Sequence, residues 1–489
     1  MSETSNLLPA FTPAQLTSWT AGTWEGAPVT VQGVSNQGRT MPAGALYVAL
    51  AGERLDGHDF VGQAAAHGAA AALVRRDWRG GAQRPDGSAL PLLRVDDTRA
   101  ALRAAAAGYR RTWPGLVAGV TGSVGKTTTK ELIAAFFRAG GSTAATAGNF
   151  NNEIGLPLSL LATQPGTARG IFELGTNHPG EIGMLARVLR PDAATVTAIG
   201  PVHIEHFGTV EAIADEKAEL LRAVPSQGFV TLDADSPLFD YLRRQVAARV
   251  VSVSLERPDT DYAGRVLDVA TGLCEVRERS SGRMLRLQTG LAGRHHGSNL
   301  LLAVAMACGA GVPWEALEGA LAQLRMPPMR WQKASGRGLT VINDAYNANP
   351  VAMVAALQTL AQLTDPGRRV VVLGDMLELG AAEESLHREV GRAAAQGPWE
   401  ALICVGARAR WIADACVCAG YPARQVWRYD DAAAAAADRD SWSRPGDLVL
   451  LKASRGIGLE RVAEALLGCA TGEPHGMVGN RDGNKTHTV

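Results

Sequence analysis

The sequence predicts an α/β protein of three domains, with a central P-loop-type parallel-sheet domain and a C-terminal Rossmann-like doubly wound domain. Three observations predict it. The chain has 489 residues, enough for about three domains at roughly 150 residues each. A strand-like run, Leu116-Val117-Ala118-Gly119-Val120, passes directly into the glycine-rich Thr121-Gly122-Ser123-Val124-Gly125. From Met329 onward, short apolar runs alternate with helical segments, the pattern of a doubly wound parallel sheet.

Composition narrows the function classes. The chain is 46% hydrophobic and 20% charged, too apolar for a disordered protein. Its 48 Lys+Arg balance 48 Asp+Glu, which argues against a protein that coats nucleic acid, since that needs surplus basic charge. A local basic pocket for a small anion stays open. The six cysteines, Cys274, Cys308, Cys404, Cys416, Cys418 and Cys469, are too scattered for a disulfide framework and read as buried free thiols. The opening MSETSNLLPAFTPAQL lacks the basic and apolar regions of a signal peptide. No stretch reaches the roughly 20 apolar residues of a membrane span. A cytoplasmic protein without a membrane span is expected.

In chain order, residues 1–105 read as a small α/β domain. Its strand candidates are Val29–Val31, Leu46–Leu50, Ala71–Val74 and Leu92–Val95, with a helix near Gln63–His67. Residues 106–326 form the second domain. Gly170–Leu174 and Ala194–Ile199 read as strands buried on both faces, and Glu131–Arg138 and Ala212–Ala223 as helices. Val250–Leu291 alternates as an excursion of short strands. Residues 327–470 form the third domain, with strands at Leu339–Asn343, Arg369–Leu373, Ala401–Val405 and Asp447–Leu451. Helices at Ala352–Leu363, Glu383–Ala395, Ala407–Ala419 and Glu460–Leu467 lie between and after them. Residues 471–489 lack periodicity and read as a disordered tail.

The segment from Gly122 through Ser123, Val124, Gly125, Lys126 and Thr127 to Thr128 carries the chemistry. Glycines let successive backbone N–H groups point at one anion, and the following helix N-terminus adds a favourable dipole. Lys126 supplies a mobile cation for the β and γ phosphates, and the Thr127 hydroxyl suits Mg²⁺. Val120 stands where the first glycine of the strict G-x-x-x-x-G-K-[ST] spacing belongs, so the loop is T-G-x-x-G-K-T-T. A ligand-free strand-to-helix turn is the bland alternative, which Lys126-Thr127 at the loop exit disfavours.

That variant spacing resembles the Mur ligase superfamily, which also includes folylpolyglutamate synthetase. The stretches Gly148–Pro157, Glu173–Ile182, Ile342–Pro350 and Leu373–Gly380 are similar to the branch that adds D-alanyl-D-alanine. The resemblance runs from about residue 28 to 468. It implies an ATP-dependent ligase of peptidoglycan synthesis, acting on UDP-MurNAc-tripeptide and D-Ala-D-Ala through an acyl phosphate. It also implies two Mg²⁺ ions, no nucleic acid partner and a monomer.

Site residues follow by the same resemblance. Glu173, ending the apolar Ile171-Phe172 run, already reads by its own position as a metal-holding acid beside Thr127, and by the resemblance His203 would be a ligand of a second Mg²⁺. Lys217, on what composition reads as a solvated helix face, would be carbamylated and join the metal shell as an anion. Asn299 would lie near the adenine, in a segment where most relatives have Asn at the place of His296. Arg330 would reach the nucleotide and Asp344 the ribose region. Lys452, Ser454 and Arg455 would face the dipeptide or nucleotide, against the bland reading of a solvated loop. Arg39 and Asn152 would touch the UDP-linked substrate. The usual Asp-Ser/Thr-Arg is here Gln37-Gly38-Arg39, so the acid and the hydroxyl are replaced. Two rival classes stay open: a related ligase for a folate-like acid or cofactor precursor, and a nucleotide-binding scaffold without turnover.

Overall fold

The computed structural model describes residues 8–52, 55–364 and 367–468. Its three large sheets follow one another along the chain. The segment read as a disordered tail, and Cys469, lie outside the described residues.

In the first sheet, Val34–Ser35, Leu46–Val48, Ala71–Arg75 and Leu92–Val95 pair in parallel, and Thr23–Glu25 closes the edge antiparallel. The run read as a strand at Val29–Val31 is corrected: only Val31–Gln32 is extended, and it pairs antiparallel with Ala10–Phe11 outside this sheet. Pro28, just before the run, has no N–H to give a ladder.

The helix Thr98–Thr112 starts at Asp97, whose carboxylate accepts the N–H groups of Arg99 and Ala100. Its alanine-rich face is narrow, so two layers approach closely. It packs on Pro13–Thr20 of the first domain and on Gly155–Leu161 and Glu181–Leu189 of the second. A single apolar core therefore runs from Phe11 and Leu102 to Leu160 and Leu189. The boundary expected between residues 105 and 106 falls inside this helix.

Among the described residues the central sheet has nine strands. Leu116–Thr121 is the third strand from one edge, parallel to Arg169–Glu173 on one side and Ala193–Val196 on the other. All three strands are buried, as their continuous apolar runs demand. The expected excursion opens with two parallel strands, Arg249–Ser254 and Tyr262–Asp268, followed by an antiparallel hairpin of Leu273–Glu278 and Met284–Gln288. Strands at Thr143–Ala145 and Phe229–Asp233 were not foreseen.

The third sheet is parallel through Leu339–Asn343, Leu448–Lys452, Arg369–Gly374, Ala401–Val405 and Val426–Tyr429, with Gln332–Gly336 antiparallel at the edge. Helices cover both faces, giving two apolar clusters. Cys274, Cys404 and Cys416 are buried and Cys308 half-buried; Cys418 is exposed, which corrects the expectation of a buried thiol there. Among the described residues, no helix is long and apolar enough to cross a membrane.

Arg110, near the end of Thr98–Thr112, fixes that helix to the central sheet. Its guanidinium donates to the carbonyls of Leu189, Trp113 and Arg190 and to Asp192 Oδ2 at 2.8 Å. Arg110→Ala strands these acceptors, so unfolding in denaturant should show a loss of about 2–3 kcal/mol.

Candidate functional site

The loops at the C-terminal ends of the three central strands converge, as expected where ligands bind open parallel sheets. Leu116–Thr121 delivers the phosphate loop, Arg169–Glu173 ends on the acid, and Ala193–Val196 leads to His203. Gly122 (φ 148°) and Gly125 (φ 91°) adopt backbone conformations closed to other residues. A Cβ on Gly122 would collide with Thr197, and one on Gly125 would sit 2.7 Å from Asn299 Oδ1.

The helix Lys126–Ala139 begins directly at the loop. Lys126 Nζ donates to the carbonyls of Gly122 (2.7 Å) and Ser123 (3.2 Å), folding back over the loop it leaves. Burial holds its pKa below the ordinary lysine value; Glu173 opposes that shift and Arg330 adds to it. Glu173 is buried. Its Oε2 accepts from the Thr127 hydroxyl at 2.8 Å and its Oε1 from Asn151 Nδ2 at 2.9 Å.

Lys217 lies in the helix Val210–Arg222 and is only 4% exposed. The face that composition read as solvated is turned inward. Glu216 beside it accepts the N–H groups of Gly180 and Ile182, capping Glu181–Leu189. Burial first, then the charge of Lys126, lowers the Lys217 amine to about 7, against a smaller pull from Glu216. Burial also lowers the His203 imidazole; Glu378 raises it, and the charges of Lys126 and Lys217 lower it further.

The third domain closes the cleft. Arg330, Asp344, Tyr346 and Lys452 line it together with Ser123–Thr128, Glu173, His295, His296 and Asn299. Asn343 and Leu451 are paired on adjacent strands, so Asp344 and Lys452 leave the sheet side by side, 2.6 Å apart. The Arg330 guanidinium stacks 4.3 Å from the Tyr346 ring centroid, and its Nε is buried with no hydrogen-bond partner. The His295 imidazole is buried to a pKa of about 4, with Asp344 opposing and Lys452 adding to the shift.

Lys126 feels both Glu173 and Arg330, and Lys217 lies near enough for the charge of Lys126 to act on it, so this wall of the cleft carries more cations than Glu173 balances. Such a site is short of negative charge and suits a polyphosphate.

Three family profiles match in sequence: one described as Mur ligase family, catalytic domain, over residues 30–110; Mur ligase middle domain over 120–307; and Mur ligase, glutamate ligase domain, over 329–455. The UDP-N-acetylmuramoyl-tripeptide–D-alanyl-D-alanine ligase of Escherichia coli is 36% identical over 408 residues, 83% of this chain and 88% of its own. That of Bacillus subtilis is 34% identical over 438 residues, 89% and 93% of the two chains. A crystal structure of MurF from Acinetobacter baumannii aligns with a TM-score of 0.83 at 28% identity, covering 94% of this chain and 99% of that one. MurF ligase from Thermotoga maritima in complex with ADP aligns with a TM-score of 0.75 at 27% identity, covering 89% and 97%. The chain belongs to the Mur ligase family.

The cleft of this Mur ligase does not gather every residue singled out in the sequence. Arg39 is exposed in the first domain, beside a buried Gly38. Gln37 accepts from the Thr40 hydroxyl at 3.2 Å, so the altered triplet is a self-contained turn. Asn152 caps the helix Gly155–Leu161 by accepting the N–H groups of Ile154 and Gly155. Arg455 lies 5.8 Å from the Tyr346 ring and donates to Met329 Sδ, outside the cleft lining. Ser454 instead takes the N–H of Leu377. Asn299 packs against the loop glycine and approaches His296 Nδ1 at 3.4 Å, while the rings of His295 and His296 lie with centroids 4.0 Å apart, tilted by 44°.

Asn151, Tyr346 and Glu378 were not singled out as site residues. Each lay inside a stretch that carried the resemblance, yet only folding shows that Asn151 meets Glu173. Asn151→Ala frees one oxygen of that carboxylate to rotate. Assays of ADP formation should show a loss of about 10–100-fold, the size found when an outer group that orients a site side chain is removed, with the melting temperature little changed.

Proposed function

We infer that the chain is an ATP-dependent ligase that joins D-alanyl-D-alanine to UDP-N-acetylmuramoyl-tripeptide. Identity of 32–36% to ligases of that name, over most of the chain, carries this reading. The likeness extends through the first domain, which disfavours the alternative of a folate-like acid or other cofactor precursor. The Thermotoga relative holds ADP, and the cation-rich cleft supports ATP here.

A carboxylate is a poor electrophile, because its oxygen is a poor leaving group. Attack of the tripeptide carboxylate on the γ-phosphorus of ATP gives an acyl phosphate and ADP. The amine of D-Ala-D-Ala then adds to the acyl carbon, and phosphate leaves with the C–O electron pair. The loop N–H groups and Lys126 stabilise charge on the transferred group, and Arg330 approaches from the other wall. Acyl phosphates react with water, so the third domain must cover the cleft during transfer. Asp344 and Lys452 form a joined pair suited to the ribose side of the nucleotide and to a second anion. Arg39 and Asn152 are proposed contacts of the UDP-linked substrate, and Arg455 of the dipeptide.

The residues present fit Mg²⁺. The Thr127 hydroxyl and Glu173 carboxylate are adjacent hard oxygen donors, and Mg²⁺ commonly takes one or two protein oxygens with phosphates and water. Among the described residues no group of three His, Cys, Asp or Glu side chains converges as a closed metal cage. Thr127 and Glu173 would hold one ion, and His203 and Lys217 a second. When bound, the ions would screen the γ-phosphate from the anionic nucleophile.

Lys217 as a carbamate is supported by its burial and its pKa of about 7. The neutral amine is the form that adds to CO₂, and the product replaces a buried cation by an anion. We further propose a cytoplasmic location and a monomer, since one chain supplies both walls of the cleft.

ADP release should require UDP-MurNAc-tripeptide and rise with D-Ala-D-Ala, and Lys126→Ala should lower it by at least about 10²–10³-fold with folding intact. ADP release indifferent to both acceptors contradicts the ligase reading. For Lys217, native mass spectrometry should find the added CO₂, and bicarbonate or short carboxylates should partly restore Lys217→Ala. Absence of both effects rejects the carbamate.

A further inference from the structure

The central and third domains touch at a second place, beside the cleft. His203, which leads into Ile204–Phe207, brings Nδ1 to 2.5 Å from Glu378 Oε2 of the third domain. That nitrogen is buried and has no well-aligned hydrogen-bond partner. Both residues are left-handed, with φ of 54° at His203 and 62° at Glu378. A side chain in this region persists only where its surroundings over-determine it, and such residues cluster at functional sites. The backbones are pressed together as well, since a Cβ on Gly380 would collide with Glu205. The charges of Lys126 and Lys217 act on His203, so the contact borders the lysine of the phosphate loop.

We propose that Glu378 is a positioning residue that clasps His203 when the third domain closes, so that the imidazole is set and the cleft sealed together. This rests on the ligase reading. A carboxylate held at Nδ1 fixes the ring and leaves Nε2 free for a group in the cleft. Because Glu378 comes from the other domain, that orientation exists only while the domains are together. Without the clasp the acyl phosphate meets water. Water adds to the acyl carbon, phosphate leaves with the C–O electron pair, and one proton passes to phosphate while the other is released. ATP is then consumed without amide formation.

The test compares full-length wild type with Glu378→Ala and Glu378→Gln, given magnesium, ATP, UDP-MurNAc-tripeptide and D-Ala-D-Ala, and counts ADP formed per amide bond. Wild type should give a ratio near one. Glu378→Ala should give a ratio about three- to tenfold higher, and Glu378→Gln, whose carbonyl still accepts from Nδ1–H, should return towards one. A merely structural role would lower both products in proportion and leave the ratio at one. Small-angle scattering without magnesium gives an independent readout: a non-hydrolysable ATP analogue should contract wild type and leave Glu378→Ala extended. If the alanine variant does not fold, Glu378→Asp, one methylene shorter, is judged by the same ratio. A ratio of one in a folded variant that contracts like wild type overturns the clasp. Failure of wild type to form amide overturns the ligase reading instead, and the scattering comparison still judges the clasp.

Discussion

The site depends on holding several positive charges in a place with too little water to solvate them. Lys126 and Lys217 both have depressed pKa values from burial, and each feels another cation more closely than a solvated lysine would. Glu173 is the acid at the centre, and its two oxygens are already committed to Thr127 and Asn151. An arrangement of this kind is costly when empty. It becomes favourable when a polyphosphate supplies the missing negative charge, and the same burial and neighbouring cation lower the Lys217 amine to about 7.

The fold creates this imbalance by topology. Phosphate loop, acid and imidazole arise from strands that are neighbours in one parallel sheet, so their C-terminal ends must lie together. Asp344 and Lys452 are more than a hundred residues apart, yet they follow paired positions of adjacent strands in the third sheet. The two halves of the cleft come from separate sheets, and chemistry that must exclude water can use closure between such halves.

Much of the architecture was legible because parallel strands buried on both faces must read as apolar runs, and the strands on both sides of the phosphate loop do. The edge strands Thr143–Ala145 and Val426–Tyr429 were missed because they are short and only partly buried, so their residues carry no such signature. Within the site, Lys126, Thr127 and Glu173 followed from local chemistry. Lys217 did not: Ala214-Asp215-Glu216-Lys217 has the composition of a solvated face, and only a resemblance marked it. The burial of Glu216 and Lys217 is decided by the N-terminus of Glu181–Leu189, which needs Glu216 as its cap. Arg39 was read towards the substrate by resemblance alone; composition marks only a turn there, within which the Thr40 hydroxyl donates to Gln37 Oε1.

The location of backbone strain adds the last constraint. Among the described residues, the non-glycine residues with positive φ are Ala21, Arg190, His203, Met329, Trp331, Arg337 and Glu378. Four of these, His203, Met329, Trp331 and Glu378, lie on the seam between the central and third domains. Met329 and Trp331 flank Arg330, and the Trp331 N–H is tied to Asp344 Oδ1 at 3.1 Å. Each such residue costs on the order of 1–3 kcal/mol, and the packed cores on either side must sustain that cost. Random defects would be spread over turns throughout the chain. Four of these seven residues fall at the positions that present Arg330, His203 and Glu378, where the His203–Glu378 contact joins the two domains. A ligand that draws the two halves together can then offset the strain through contacts that exist only in the closed state.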